Sequence, residues 1–151
     1  MRLSSPSFRT ALAAGAAGGV AEMLWVAAYS SVSPSNGLEI AEGVTASLVP
    51  DAVHLAFAPV FGVLIHVLLS VGLGVALVKL LLWPIASRYG DAMLLPAALT
   101  ALATVWAVNF FLILPVLNAS FVALMPLAAT LTSKLLFGAA MAWTLRGAAL
   151  R

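Results

Sequence analysis

The sequence contains no cysteine, and only 8% of its 151 residues are charged. The first absence removes disulfides, thiolate metal sites, iron–sulfur clusters and cysteine nucleophiles from the chemistry open to the chain. The second is at odds with a soluble domain, in which roughly a quarter of residues carry charge. The seven basic residues are scattered, without the Lys/Arg cluster or aromatic interleaving of a nucleic-acid surface, so nucleic acid is not an expected partner. Enzyme signatures are missing as well: there is no GxSxG, Walker loop, dinucleotide fingerprint or paired-histidine metal motif. No catalytic activity and no cofactor are expected. The two histidines, His54 and His66, lie on one segment twelve residues apart and cannot flank a single haem iron.

What remains is apolar. Hydrophobic residues make up 64% of the chain, more than a domain of this size can hide in its interior, so the excess must face lipid. Four runs are long enough to cross about 30 Å of hydrocarbon, which takes roughly 20 helical residues. They lie near Ala11–Val32, Phe57–Leu80, Met93–Leu114 and Phe121–Trp143. Unbroken stretches such as Val60–Leu69 lack the alternation of a barrel strand, and lipid offers unpaired backbone groups no partner. The expected fold is all-α: one integral membrane domain over residues 1–151, a four-transmembrane-helix bundle.

Charge placement sets the orientation. Arg2 and Arg9 precede the first span, Lys79 and Arg88 flank the second connection, and Arg146 and Arg151 follow the last; the first and third connections hold no Lys or Arg. The positive-inside rule then puts both termini in the cytoplasm, in agreement with an even number of spans. Trp25, Tyr29, Trp83, Tyr89 and Trp143 lie mostly towards span ends, as an aromatic belt does, with Trp25 and Trp106 deeper. Val26-Ala27-Ala28 has the form of a signal-peptide cleavage site, but Glu22 and the length of the run argue for retention.

Ser33–Val53 is the one sizeable connection. Leu38, Ile40, Ala41, Val44 and Leu48 recur at helical spacing opposite Glu39, Glu42 and Thr45. This predicts a short amphipathic helix on the outer surface, starting near Ser35-Asn36-Gly37 and ended by Pro50. Glu39, Glu42, Asp51 and His54 are a candidate outer-surface cation site, although their spacing fits a solvated acidic face better than a metal motif. The third connection is expected to be a hairpin around Pro115 and Asn118, with Ser120 serving the turn. Pro115 and Pro126 are expected to shape span ends or kinks, and Asp91 to cap the third span. Pro59 to His66 is faintly echoed by Pro126 to Lys134, the pattern of two parallel hairpin repeats.

Three ionisable residues fall inside spans: Glu22, His66 and Lys134. Counting from the outer ends at 1.5 Å per residue puts Glu22 and His66 about 15 Å deep, Lys134 about 20 Å and Asn109 about 8 Å. An unpaired charge there costs at least ~2.5–3.5 kcal/mol, so the three must face inwards. Small residues mark their faces. Gly62, His66, Ser70 and Gly74 recur every fourth residue, as do Thr130, Lys134, Gly138 and Ala142, and Ala14, Gly18 and Glu22 beside a Gly15–Gly19 pair. Two functions fit this layer: an ion pair of Glu22 with Lys134, braced by His66, that locks the helices, or a proton or ion relay in which the imidazole changes charge near neutral pH.

Gly15-Ala-Ala-Gly-Gly, Glu22 and Trp25 in the first span, His66 in the second, and Leu136-Phe137-Gly138, Ala142-Trp143 and Arg146 at the end resemble small bacterial inner-membrane proteins of the YagU-like type. Lys134 departs from that pattern, which has a histidine there. The resemblance implies a bacterial inner membrane and a link to acid tolerance, and no substrate. The sequence therefore leads to a multi-pass structural or accessory membrane component, with the lipid bilayer and a homo-oligomeric or larger membrane-complex partner as its surroundings. The alternative is a proton or cation channel or transporter module working through Glu22, His66 and Lys134.

Overall fold

The computed structural model describes residues 6–149, so Arg2 and Arg151, two of the charges used to orient the chain, lie outside the described residues. Every regular element among those residues is helical. In chain order they are α1 (Phe8–Val32), α2 (Gly37–Leu48), α3 (Ala58–Leu77), α4 (Trp83–Tyr89), α5 (Leu94–Val108), α6 (Leu114–Leu117), α7 (Ala119–Val122) and α8 (Leu127–Ala149). Three continuous helical rods, Phe8–Val32, Ala58–Tyr89 and Asp91–Leu117, are long and apolar enough to cross a membrane, at 25, 32 and 27 residues. At 1.5 Å per residue they reach about 38, 48 and 40 Å, beyond the ~30 Å of hydrocarbon.

The second and third rods are longer than the apolar runs that announce them. The second continues past Leu80 through Pro84 to Tyr89, and the third passes Pro115 to Leu117. A proline lacks the N–H an α-helix needs, and both are accommodated the same way. A five-residue π-helical stretch comes just before each, Val78–Leu82 and Asn109–Ile113. There Trp83 N–H bonds Val78 O and Leu114 N–H bonds Asn109 O, one residue further back than in an α-helix. The second connection thus shrinks to Gly90, whose φ of 89° suits glycine alone, and a 3₁₀ turn at Asp91–Met93. Asp91 opens that turn and gives no side-chain cap, contrary to expectation.

At the other end the fourth apolar run is broken. Phe121 belongs to the one-turn α7, and the long helix α8 begins only at Leu127, after Pro126. Asn118, rather than Pro115, makes the break: its side chain accepts from Phe121 N–H and caps α7. Asn36 caps α2 likewise, accepting from Leu38 N–H at 2.9 Å.

α1 is the central helix. One stripe, Gly15 and Gly19, meets Ser70, Val71 and Gly74 of antiparallel α3 so closely that backbones touch. The next stripe, Gly18 and Glu22, meets Phe137, Ser133 and Lys134 of antiparallel α8. On its far side α8 packs on α5, with Gly138 against the Ala98 backbone and Trp106 Nε1 donating to Thr130 Oγ1. All four long helices converge at one end of the bundle, where Val78, Leu82, Leu102, Phe137 and Met141 form a fully buried core. At the other end α3 and α5 part, and α2 reaches from α3 to the hairpin of α6 and α7. It packs its Ala41 carbonyl on Gly62 of α3, Thr45 Oγ1 donates to Ala58 O, and Asn118 Nδ2 donates to Gly43 O. Leu38 and Leu48 of α2 stay exposed, as do Val60, Leu64 and Leu68 along the outer face of α3.

Candidate functional site

Glu22 is where three helices meet chemically. It is 6% exposed, and its carboxylate lies midway along α1. Lys134 Nζ of α8 stands 2.7 Å from Oε1 and 2.8 Å from Oε2. Ser133 Oγ donates to Oε1 at 2.9 Å. From α3, His66 Nε2 approaches Oε2 to 3.7 Å, and Ser70 Oγ lies 3.3 Å from that ring nitrogen. The Lys134 ammonium also sits 5.8 Å above the Phe137 ring, whose negative face favours a cation. No buried side-chain nitrogen or oxygen among the described residues lacks a partner.

The local sequence explains this convergence. Glu22 follows Gly18 by one helical turn, and the missing Cβ at Gly18 admits the Phe137 ring and brings α8 close. On α8, Ser133 and Lys134 are adjacent and approach the carboxylate from neighbouring angles, one as hydroxyl and one as ammonium. On α3, His66 and Ser70 are four apart and share a face. The weakly echoed segments beginning at Pro59 and Pro126 therefore deliver an imidazole and an amine to the same acid.

The cluster forms part of the wall of a chamber of about 650 Å³ in the half of the bundle where α3 and α5 diverge. α1 and α8 provide the back wall and α2 the outer roof. Glu22, His66, Lys134 and Asn109 all line it, and otherwise its surface is mainly aliphatic and aromatic. His66 and Lys134 keep 22% and 15% of their side-chain surface accessible. Asn109 comes from the opposite wall, in the π-helical stretch of the third rod, and its amide bonds no other described side chain. Of the four polar residues singled out from sequence as one layer, three are thus joined directly and the fourth lines the same chamber.

Glu39, Glu42, Asp51 and His54 are not joined. Among the described residues no three acidic or histidine side chains come together as a metal site needs. α2 turns its buried surface to Ile40 and Thr45 instead, and Asp51 and His54 belong to the separate 3₁₀ turn Pro50–His54. Sequence reading missed Ser133 and the role of Ser70. Their signal was position: each lies on the face, and within a turn, of an ionisable residue that cannot point to lipid.

Comparison with family models, with curated proteins and with solved structures yields no match.

Proposed function

We propose that the chain is a four-span protein of a bacterial inner membrane with both termini in the cytoplasm, and that it is a non-enzymatic accessory or structural component. The observation that carries this reading is the engagement of Glu22: Lys134 contacts both of its oxygens, Ser133 donates to Oε1, and the His66 imidazole stands 3.7 Å from Oε2. A carboxylate so engaged is neither a free base nor a nucleophile; it holds α1 to α8 and α3. Inside a membrane such polar links act as glue between helices.

Two observations support the orientation. Lys79 Nζ donates to Pro6 O at 2.6 Å, and Arg146 Nη2 reaches Ala92 O at 3.5 Å, which gathers basic groups at the end of the bundle that also holds Arg9 and Arg88. Glu39, Glu42 and Asp51 occupy the opposite end. With α8 as the fourth span, this is the asymmetry of the positive-inside rule. The bacterial setting rests on the resemblance to YagU-like proteins.

The second reading, a proton or cation module, is favoured by one feature: His66 and Lys134 line the chamber instead of being sealed from it. Against it stands the buried core from Val78 to Met141, which leaves the cluster no opening towards the basic end. Liposomes loaded with a pH-sensitive dye separate the two. Glue predicts no flux in the wild type and reduced thermal stability in Glu22→Gln; a relay predicts flux that Glu22→Gln and His66→Ala abolish.

A further inference from the structure

The chamber has three features that the locking role of Glu22 does not use. It opens sideways: α3 and α5 do not pack on each other along this half, and the chamber-lining residues Val63, Leu69, Ile113 and Leu117 at its rim are exposed. In a bilayer that opening faces acyl chains, while α2 shuts the outer end. Its walls are apolar but its polar groups are gathered, with His66 and Lys134 on one side and Asn109 on the other. Finally, Glu22, Lys134 and His66 are engaged with one another and with Ser133 and Ser70, whereas the Asn109 amide lines the space without bonding another described side chain.

We propose that this chamber is a binding site for a neutral, membrane-dissolved long-chain carbonyl compound, whose chain lies between α3 and α5 and whose carbonyl oxygen accepts a hydrogen bond from the Asn109 amide. The inference rests on the chain spanning the membrane as proposed above. The Glu22–Lys134 pair cancels its own charge, so the site selects no ionic head. Depth argues the same way. Glu22 lies ten residues from the outer end of α1, about 15 Å by the helical rise, and a zwitterionic phospholipid head drawn to that depth would lose its hydration. A small uncharged head such as a quinone ring lies at that depth without this loss. A volume near 650 Å³ suits a ligand of drug-like size or a head with part of its chain. Long-chain quinones and acyl esters share the required chemistry.

The full chain in nanodiscs of ether-linked phosphatidylcholine, a bilayer without ester carbonyls, tests this with decylubiquinone as probe and tryptophan quenching as readout. The expected result is a saturable quenching component. It should be unchanged in the lipid-facing variant Leu68→Ala and weakened about five- to tenfold in Asn109→Leu, the scale of one lost hydrogen bond. It should disappear in Val63→Phe, which fills the mouth. Displacement by methyl oleate supports the proposal with an ester as the natural source, and failure of methyl oleate to displace supports it with a quinone. Quenching that never saturates in the wild type overturns it, as does equal affinity in Asn109→Leu and Val63→Phe, or displacement by dodecane as effective as by methyl oleate or unlabelled quinone. Circular dichroism of each variant establishes that it is folded, and single-cysteine labelling of the same nanodiscs reports independently whether the helices span, so a failed ligand site and a failed topology give different results.

Discussion

Lys134 Nζ stands almost equidistant from the two oxygens of Glu22, at 2.7 and 2.8 Å, so one ammonium straddles the whole carboxylate. This geometry differs from a single end-on contact in its consequence. Neither oxygen is free to turn elsewhere, and the residual valence of Oε1 is taken by Ser133. The pair joins α1 to α8, residues far apart in sequence, midway along α1.

Removing one partner should therefore cost more than removing both. Lys134→Met leaves a buried carboxylate with only a hydroxyl and an imidazole, and is expected to lose about 3 kcal/mol or more of stability. Glu22→Gln alone strands the ammonium and should do similar harm. The double variant Glu22→Gln/Lys134→Met removes both charges and should regain a large part of the loss. Thermal melts of the four proteins in one detergent give the coupling directly; additive losses would mean the pair is not a lock.

The cluster was legible in the sequence because one physical rule acts strongly on few residues. Apolar surroundings do not solvate Glu22, His66 or Lys134, and three inward-facing ionisable side chains on three packed helices have little choice but to meet. Asn109 was legible by the same rule. The chamber was not, because it depends on where α3 and α5 part, which no periodicity records. Pro115 read as part of a hairpin and Pro84 drew no reading; the π-helical turns before them, which let the rods continue, leave no trace in composition. Phe121 read as the start of a span because apolar residues run from it to Trp143 with little break, yet Asn118 and Pro126 cut off the short α7.

Two glycines of α3 make a controlled pair. A methyl group on Gly74 would run into the Gly15 backbone, which has no side chain to move aside, whereas one on Gly72 would meet nothing within 4 Å. Gly74→Ala is expected to push α3 from α1 and lose about 1–3 kcal/mol, the usual cost of overpacking. Gly72→Ala should be neutral or slightly stabilising, since alanine is the better helix former. Melting temperatures that fall equally in both would show that close backbone approach is not what holds these helices.

The absence of native cysteine makes the topology directly measurable. Single cysteines at Ser7, Ser87 and Gly147 lie at the basic end, and those at Ser47 and Ala119 at the other. In intact cells a membrane-impermeant maleimide is expected to label Ser47→Cys and Ala119→Cys alone, and permeabilisation should expose the other three. Labelling of Gly147→Cys from outside would mean that α8 does not return across the membrane and would remove the fourth span.

The roof of the chamber hangs on one side chain. Asn118 accepts from Phe121 N–H and donates from Nδ2 to both Gly43 O and Ser47 Oγ, each at 3.2 Å, so it caps α7 and ties α2 to the hairpin at once. Asn118→Ala deletes these three bonds and the one that Oδ1 accepts from Ser120 Oγ, but α2 keeps its Thr45 bond and its packing on α3. The loss should be local, about 1–2 kcal/mol, the range for a lost cap with its neighbouring hydrogen bonds. Hydrogen exchange is the measurement that separates local from global opening. Amides of residues 37–48 and 119–122 are expected to exchange roughly tenfold faster, while those around Phe137 and Met141, in the closed end of the bundle, keep their protection. Faster exchange at Phe137 as well would mean that roof and core unfold together, and that the chamber has no independently moving lid.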